Sequence, residues 1–245
     1  MKKLIYLLLL LTMVSILPST AFAEKIILGG TLAGKSTLYG KWQERVYTEA
    51  FRRMGYDFEC KRLPAARSSQ MSDSGAVDGE IQRVPGYGKA HPNLIRVEEY
   101  GHTIYWVAMA LKPGIFIEQW SSLKDTPYRV AYRRGILLSK KNLSNVVTPD
   151  KLSVSDTITS ALKMLQTERI DLFVGVKYLA EEAIGSNPDF KNAGFYVAGT
   201  LAKVNLHAYL HKKHANLVPI LSKTLKEMKE EGLFKQYKEE IMGRQ

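Results

Sequence analysis

The feature that most constrains the fold is a short apolar run near the middle of the chain, Ile104–Leu111 (IYWVAMAL). This run is too short to span a membrane and too apolar for a surface loop, so it predicts a buried strand. A second run of similar character, Val204–Leu210 (VNLHAYL), lies towards the carboxyl end. Patterns of alternating strands and helices lie on both sides of the first run. We therefore expect a chain that crosses between two lobes at these two strands, with a ligand bound between the lobes.

The first 23 residues have the features of a secretory signal peptide. Lys2 and Lys3 precede the leucine-rich segment Leu4–Leu17, and Ala21-Phe22-Ala23 has the small-residue pattern of a cleavage site. An uncleaved membrane anchor is the alternative, and the short apolar segment argues against it. We expect cleavage after Ala23 and a mature protein located in the periplasm.

Charge and cysteine content narrow the class of protein. The chain has 35 basic and 24 acidic residues, and loss of Lys2 and Lys3 leaves 33 against 24, a net charge of +9. An exported basic protein favours an anionic ligand or surface. The basic residues are dispersed, which argues against nucleic acid. Cys60 is the single cysteine, so an internal disulfide is excluded, and its alternating surroundings predict a buried side chain.

The mature chain alternates strands and helices in two blocks. In the first block we predict strands at 25–30, 56–63 and 77–84 and helices at 41–54 and 65–72. In the second we predict strands at 128–132, 145–147, 169–175 and 195–198 and helices at 136–143, 158–166 and 177–184, before a long helix at 215–231. Units of this kind form mostly parallel sheets flanked by helices, so the predicted class is α/β.

Four stretches carry a family resemblance: Val77–Arg83 (VDGEIQR), Val130–Gly135 (VAYRRG), Leu162–Val174 (LKMLQTERIDLFV) and Ala215–Tyr237. In this order they resemble the type II periplasmic solute-binding proteins of family 3, which include amino-acid receptors of ABC importers. The resemblance implies the two-lobe type II periplasmic binding protein fold. After the signal peptide at 1–23, it implies lobe 1 over 24–104 and 209–245, lobe 2 over 110–203, and hinge strands at 105–109 and 204–208.

Two departures separate the chain from the amino-acid receptors that it resembles. The loop after the first strand, 31–40, has Tyr39 as its only aromatic residue, where such receptors often carry a Pro-aromatic pair. Gly175, Val176 and Lys177 stand where those receptors carry an aspartate that binds the ligand's amino group. The resemblance therefore implies the fold and not the amino-acid specificity.

Candidate ligand-binding residues follow the predicted strands. Arginine binds carboxylates through two parallel hydrogen bonds, and the resemblance implies this role for Arg83. Glu80 either accepts a hydrogen bond from a ligand amine or holds an arginine in place. The other candidates are Arg67 after the second strand, Tyr87 as a stacking residue, Tyr132, Arg133 and Gly135 at the edge of lobe 2, and Lys35, Ser36 and Tyr39 in the first loop.

Two motifs suggest other chemistry. Gly29–Ser36 (GGTLAGKS) matches the phosphate-loop pattern, but export and the lack of a strand ending in a metal-binding aspartate argue against a nucleotide. His207, His211 and His214 have metal-like spacing, but the strand pattern at His207 need not bring them together. We predict neither a cofactor nor a metal.

The leading hypothesis is an exported, non-enzymatic, monomeric solute-binding protein. Its two lobes would close on a small anionic or zwitterionic solute, and the bound form would engage an ABC importer permease or a membrane sensor. One alternative is an enzyme on the same scaffold, because some proteins of the resembling group are dehydratases of cyclic carboxylic acids, with Glu80 as general acid. Another is a sensor lobe that takes no part in transport.

Overall fold

The computed structural model describes residues 23–31, 34 and 37–243. The predicted signal peptide, apart from Ala23, lies outside the described residues, as do Lys35 and Ser36. The strands are β1 (Lys25–Thr31), β2 (Asp57–Leu63), β3 (Gly79–Arg83), β4 (Leu94–Arg96), β5 (His102–Ala110), β6 (Val130–Arg133), β7 (Leu152–Ser155), β8 (Leu172–Val176) and β9 (Tyr196–His211). The helices are α1 (Leu38–Arg53), α2 (Ala65–Asp73), α3 (Leu137–Leu143), α4 (Ile158–Gln166), α5 (Lys177–Ser186), α6 (Leu217–Glu230) and α7 (Leu233–Met242). Among these helices, none has the length and apolar character needed to cross a membrane.

The strands form one continuous sheet with two parallel halves. Its order is β2-β1-β3-β9-β5-β8-β6-β7, and β4 also pairs with β9. In one half, β1, β2 and β3 are parallel. In the other half, β6, β7 and β8 are parallel. We call the half with β1–β4 lobe 1 and the half with β5–β8 lobe 2. The predicted α/β architecture of two helix-flanked lobes is confirmed.

Strand β9 belongs to both lobes. Its first part, up to Leu206, pairs with β5, and its last part, from His207, pairs with β3 and β4. The prediction of separate strands at 195–198 and 204–210 is wrong, because β5 gives the intervening residues a pairing partner through two irregularities in the ladder. The predicted bounds of the hinges stay predictions, and the pairing places 106–109 beside β8 within lobe 2.

The predicted strand at 145–147 is also wrong. The amides of Val146 and Val147 both donate to the carbonyl of Leu143, which makes this segment the end of α3. Val147 is buried because it packs into the core of lobe 2 and not because it belongs to the sheet. The edge strand β7 lies several residues later, where Val130 pairs with Leu152.

Each lobe has its own apolar core. In lobe 1, helices α1, α6 and α7 pack on the sheet through side chains such as Phe51, Leu221 and Leu225. In lobe 2, α3 packs on one face of the sheet, while α4 and much of α5 pack on the other. Tyr178 is partly buried against the cores of both lobes. This side chain therefore marks where the lobes meet.

Asp78 ties the start of β3 to two distant parts of lobe 1. Its carboxylate accepts hydrogen bonds from the amide of Ile27 at 2.8 Å, from Nζ of Lys213 at 2.7 Å and from Nε2 of His214 at 2.8 Å. Burial alone would raise the pKa of Asp78, but the bonds from Lys213, Ile27 and His214 outweigh it and hold the pKa below its usual value. His214 thus serves this network.

We expect Asp78→Asn to destabilise the protein by about 1–3 kcal/mol at pH 7, because it removes the charge that satisfies these donors. A lowered folded-state pKa gives stability that is present above the ordinary carboxyl value and lost as pH falls through the folded value. The difference from wild type should therefore shrink at pH 3. Urea unfolding at both pH values measures it, with the exposed Asp57→Asn as control. An equal difference at both pH values would contradict this account.

Candidate functional site

The carboxyl ends of the strands in the two lobes face each other. Tyr39, in the first turn of α1 just after β1, stacks on Tyr178, in the first turn of α5 just after β8. The ring centroids are 4.1 Å apart and the ring planes differ by 22°. The amide of Leu38 also donates to Oε1 of Glu182 at 3.2 Å. Ligands of α/β proteins bind at the carboxyl edges of parallel strands, so the space between these edges is the candidate site.

Arg83 lies at the carboxyl end of β3, and Glu80 and Tyr87 contact its guanidinium group. Its Nη2 donates to Oε1 of Glu80 at 2.8 Å, and its Cζ lies 5.0 Å from the centroid of the Tyr87 ring. The hydroxyl of Tyr87 donates to Oγ of Ser69 at 2.6 Å. The Arg83 side chain is 15% exposed, although its Nε is buried without a hydrogen-bond partner in the described residues. The exposed part of the Arg83 side chain therefore consists of atoms other than Nε.

Glu80 lies behind Arg83. Its side chain is 1% exposed, and Oγ of Ser68 donates to the same Oε1 that Arg83 contacts, at 3.0 Å. Burial raises the pKa of Glu80, against the opposing effects of Arg83 and the neighbouring serines. A solute between the lobes therefore meets Arg83 before Glu80, and of the two roles predicted for Glu80 the geometry favours holding Arg83. We call Ser68, Ser69, Glu80, Arg83 and Tyr87 the Arg83 cluster.

Two glycines in β1 allow the cluster to form. A Cβ atom at Gly29 would lie 2.5 Å from Oγ of Ser68, so α2 reaches Glu80 only because position 29 has no side chain. Gly30 faces the other side of the sheet, where a Cβ atom would lie 2.9 Å from Sγ of Cys60. The glycine pair thus serves close packing on both faces of the sheet.

Arg62 is an ion-paired residue with a buried side chain, near the carboxyl edge of lobe 1, that the sequence reasoning missed. It lies near the carboxyl end of β2 with its side chain 6% exposed, and its Nε and Nη2 donate to Oε1 of Glu44 at 2.9 and 2.7 Å. Nη2 also donates to the carbonyl of Gly40, so Arg62 supports the first turns of α1. A signal was present in the sequence, because Arg62 follows Cys60 in the buried phase of the strand, where a cation needs a partner.

The other predicted residues fall into three groups. Tyr132 is 5% exposed and belongs to the core of lobe 2. Arg67 on α2 is exposed and Arg133 is partly exposed, and neither forms an ion pair in the part of the chain that the structure describes. Gly135 is an exposed turn residue with φ +82°. Among the described residues, no hydrogen bond or ion pair joins these four to the Arg83 cluster, and their roles stay predictions.

A relative that matches most of the chain shows the family to which it belongs. No family model matches the chain. A protein of Shewanella oneidensis, described as an uncharacterized protein, is 34% identical to it over 206 residues, which cover 84% of this chain and 78% of the Shewanella protein. The chain belongs to the family of this Shewanella protein. The match is longer than either lobe, so it includes residues of both lobes.

Several solved structures are similar to this chain in fold. An ancestral arginine-binding protein bound to arginine matches with a TM-score of 0.65 and 19% identity, over 91% of this chain and 100% of that one. A histidine kinase sensor domain with similarity to periplasmic binding proteins matches with a TM-score of 0.65 and 15% identity, over 91% of this chain and 97% of that one. This chain therefore has the two-lobe periplasmic binding protein fold, as the sequence predicts.

Proposed function

We propose that this chain is an exported solute-binding protein of the family 3 kind. Its lobes close in the periplasm on a small anionic or zwitterionic, amino-acid-like solute, and the closed form engages an ABC importer permease or a membrane sensor. The chain acts as a binding protein and not as an enzyme, and it uses no cofactor. Arg83 contacts the solute, Tyr87 orients Arg83, and Arg67, Arg133 and the first turn of α1 complete the site.

The observation that carries this proposal is the opposition of the two carboxyl edges at the Tyr39–Tyr178 stack. Arg83, a partly exposed cation, ends β3 at this carboxyl edge of lobe 1, which supports its role as a solute-binding residue. A solute that contacts both edges stabilises the closed arrangement by its differential affinity for the two states. Arginine-binding and sensor proteins among the structural neighbours support the same kind of function.

The test is a thermal-shift screen of the chain from Glu24 onwards, after unfolding and refolding to remove any carried solute. The panel contains amino acids, dicarboxylates, cyclic acids, nucleotides and phosphate. We expect one chemical class to stabilise the protein by about 3–4 kcal/mol at saturation, a rise of several degrees in melting temperature. The radius of gyration measured by X-ray scattering should not increase when that solute binds.

Arg83→Ala should abolish this shift, whereas Arg52→Ala, which removes an exposed arginine at the far end of α1, should leave it unchanged. Full retention of binding by Arg83→Ala would reject the proposed site. A stabilising solute that is consumed during incubation would instead favour the enzyme, and loss of that turnover in Glu80→Gln would identify the acid.

A further inference from the structure

We propose that Glu80 is a positioning residue that sets the charge preference of the Arg83 cluster, so that wild type takes a net-neutral solute group in preference to a free anion. This inference rests on the proposed function, because it concerns the ligand class of the same site. Of the anionic and zwitterionic solutes proposed above, it favours the zwitterion. It also adds uncharged polar molecules to the expected class.

The first step is that Arg83 already has an anionic partner inside the protein. Nη2 of Arg83 lies 2.8 Å from Oε1 of Glu80, and this oxygen also accepts from Ser68 at 3.0 Å. With 1% of its side chain exposed, Glu80 is screened little by solvent. Its negative charge therefore offsets the charge of Arg83 at short range, and an arriving anion meets hydrogen-bond donors with little net attraction.

The second step is that the fold holds the carboxylate of Glu80 beside Arg83. Glu80 lies within β3, where its backbone pairs with Tyr209 of β9 on one side and with Gly29 of β1 on the other. The Glu80 side chain is 1% exposed and accepts from Ser68 as well as from Arg83, so turning away from Arg83 would break both hydrogen bonds inside the protein. Charge neutralisation at this site is therefore built into the sheet.

The third step is that nearby cations do not restore a strong positive field. Arg62 is on the opposite face of the sheet and is paired with Glu44. Arg67 is exposed on α2, where water and salt screen its charge. Every aspartate and glutamate of the chain lies in the described residues, so the pairing of these arginines with acids is fully accounted for.

The test compares two small probes of nearly the same shape, methanesulfonate, which is anionic throughout the neutral range, and dimethyl sulfone, which is uncharged. Binding of each is measured by calorimetry and thermal shift at pH 7.5 to wild type and to Glu80→Gln. Gln keeps the length and one acceptor oxygen of Glu80 but removes its charge. We expect Glu80→Gln to bind methanesulfonate at least about tenfold more tightly than wild type, with dimethyl sulfone unchanged.

Two controls separate this role from a structural one. Glu59→Gln makes the same change of net charge at an exposed residue paired with Lys25, and we expect no gain in sulfonate binding. Glu80→Gln combined with Arg83→Ala should lose the gain. A purely structural role for Glu80 would alter both probes alike. Equal binding of methanesulfonate to Glu80→Gln and wild type, including none to either, would overturn the proposal.

A second arm needs no variant of Glu80 and decides the matter if Glu80→Gln does not fold. Wild type is expected to bind methanesulfonate no more tightly than dimethyl sulfone. A strong preference of wild type for the sulfonate, lost in Arg83→Ala, would overturn the inference while leaving Arg83 as a solute-binding residue. Failure of the proposed function looks different, because no solute of the wider panel would then stabilise wild type.

Discussion

Gly79→Ala should destabilise the protein by about 3 kcal/mol or more, enough to remove much of the stability of a typical domain. A Cβ atom at this position would lie 2.0 Å from the carbonyl oxygen of Tyr209 and 2.9 Å from Cα of Leu210. Both obstacles are backbone atoms of β9, which β4 holds from the other side, so neither can move away cheaply. The φ of +154° at Gly79 adds strain for any residue with a side chain.

Urea unfolding of Gly79→Ala measures this loss, with Gly185→Ala as the matched control. A Cβ atom at Gly185, within α5, meets no heavy atom within 4 Å, so the same change should be neutral or slightly stabilising there. Hydrogen exchange should show lost protection in β3 and in the last part of β9 before it is lost elsewhere. A stability equal to wild type would show that β3 and β9 separate more easily than their close approach indicates.

Removal of the contacts between the lobes should open the ligand-free protein. We expect Tyr178→Ala together with Glu182→Ala to shift the balance from closed towards open by about 2–3 kcal/mol, roughly a hundredfold. The reason is that the double variant removes the aromatic stack on Tyr39 and the acceptor for the amide of Leu38. Burial, with a smaller effect of Glu182, raises the pKa of Tyr178 to about 12, so this tyrosine is neutral across the neutral range.

X-ray scattering of the ligand-free variants measures the opening as an increase in the radius of gyration. Phe116→Ala serves as control, because it removes an aromatic side chain that is 73% exposed and lies outside both predicted hinges. Unchanged scattering from the double variant would mean that other contacts hold the lobes together.

Much of the fold was predictable because it depends on local patterns. The apolar run at β5 and the alternation of strands and helices follow from burial within each lobe, which the spacing of apolar residues records. The position of β7 did not follow, because Val147 is buried at the end of a helix and mimics a strand residue. An apolar residue in the sequence predicts burial, but it does not predict whether a helix or a strand carries it.

The candidate site was only partly predictable for a related reason. Arg83 and Tyr87 are close in sequence on one strand and the following turn, so their proximity follows from local geometry. The contacts of Tyr178 and Glu182 depend on the orientation of one lobe against the other, which no periodic pattern encodes. The complete burial of Glu80 depends on the approach of α2, and that approach is visible only once Gly29 and Ser68 are seen in contact.

The division of β9 between two lobes has a consequence for the order in which the protein is assembled. Lobe 2 is built from a contiguous segment that ends at Leu206, so it is complete as soon as that residue is available. Lobe 1 needs the last part of β9 and the helices that follow, which lie more than 100 residues beyond its own first three strands. Loop-closure entropy makes such distant pairings slow. When the chain is synthesised from its amino end, lobe 1 therefore begins to emerge before lobe 2 but completes its fold after it.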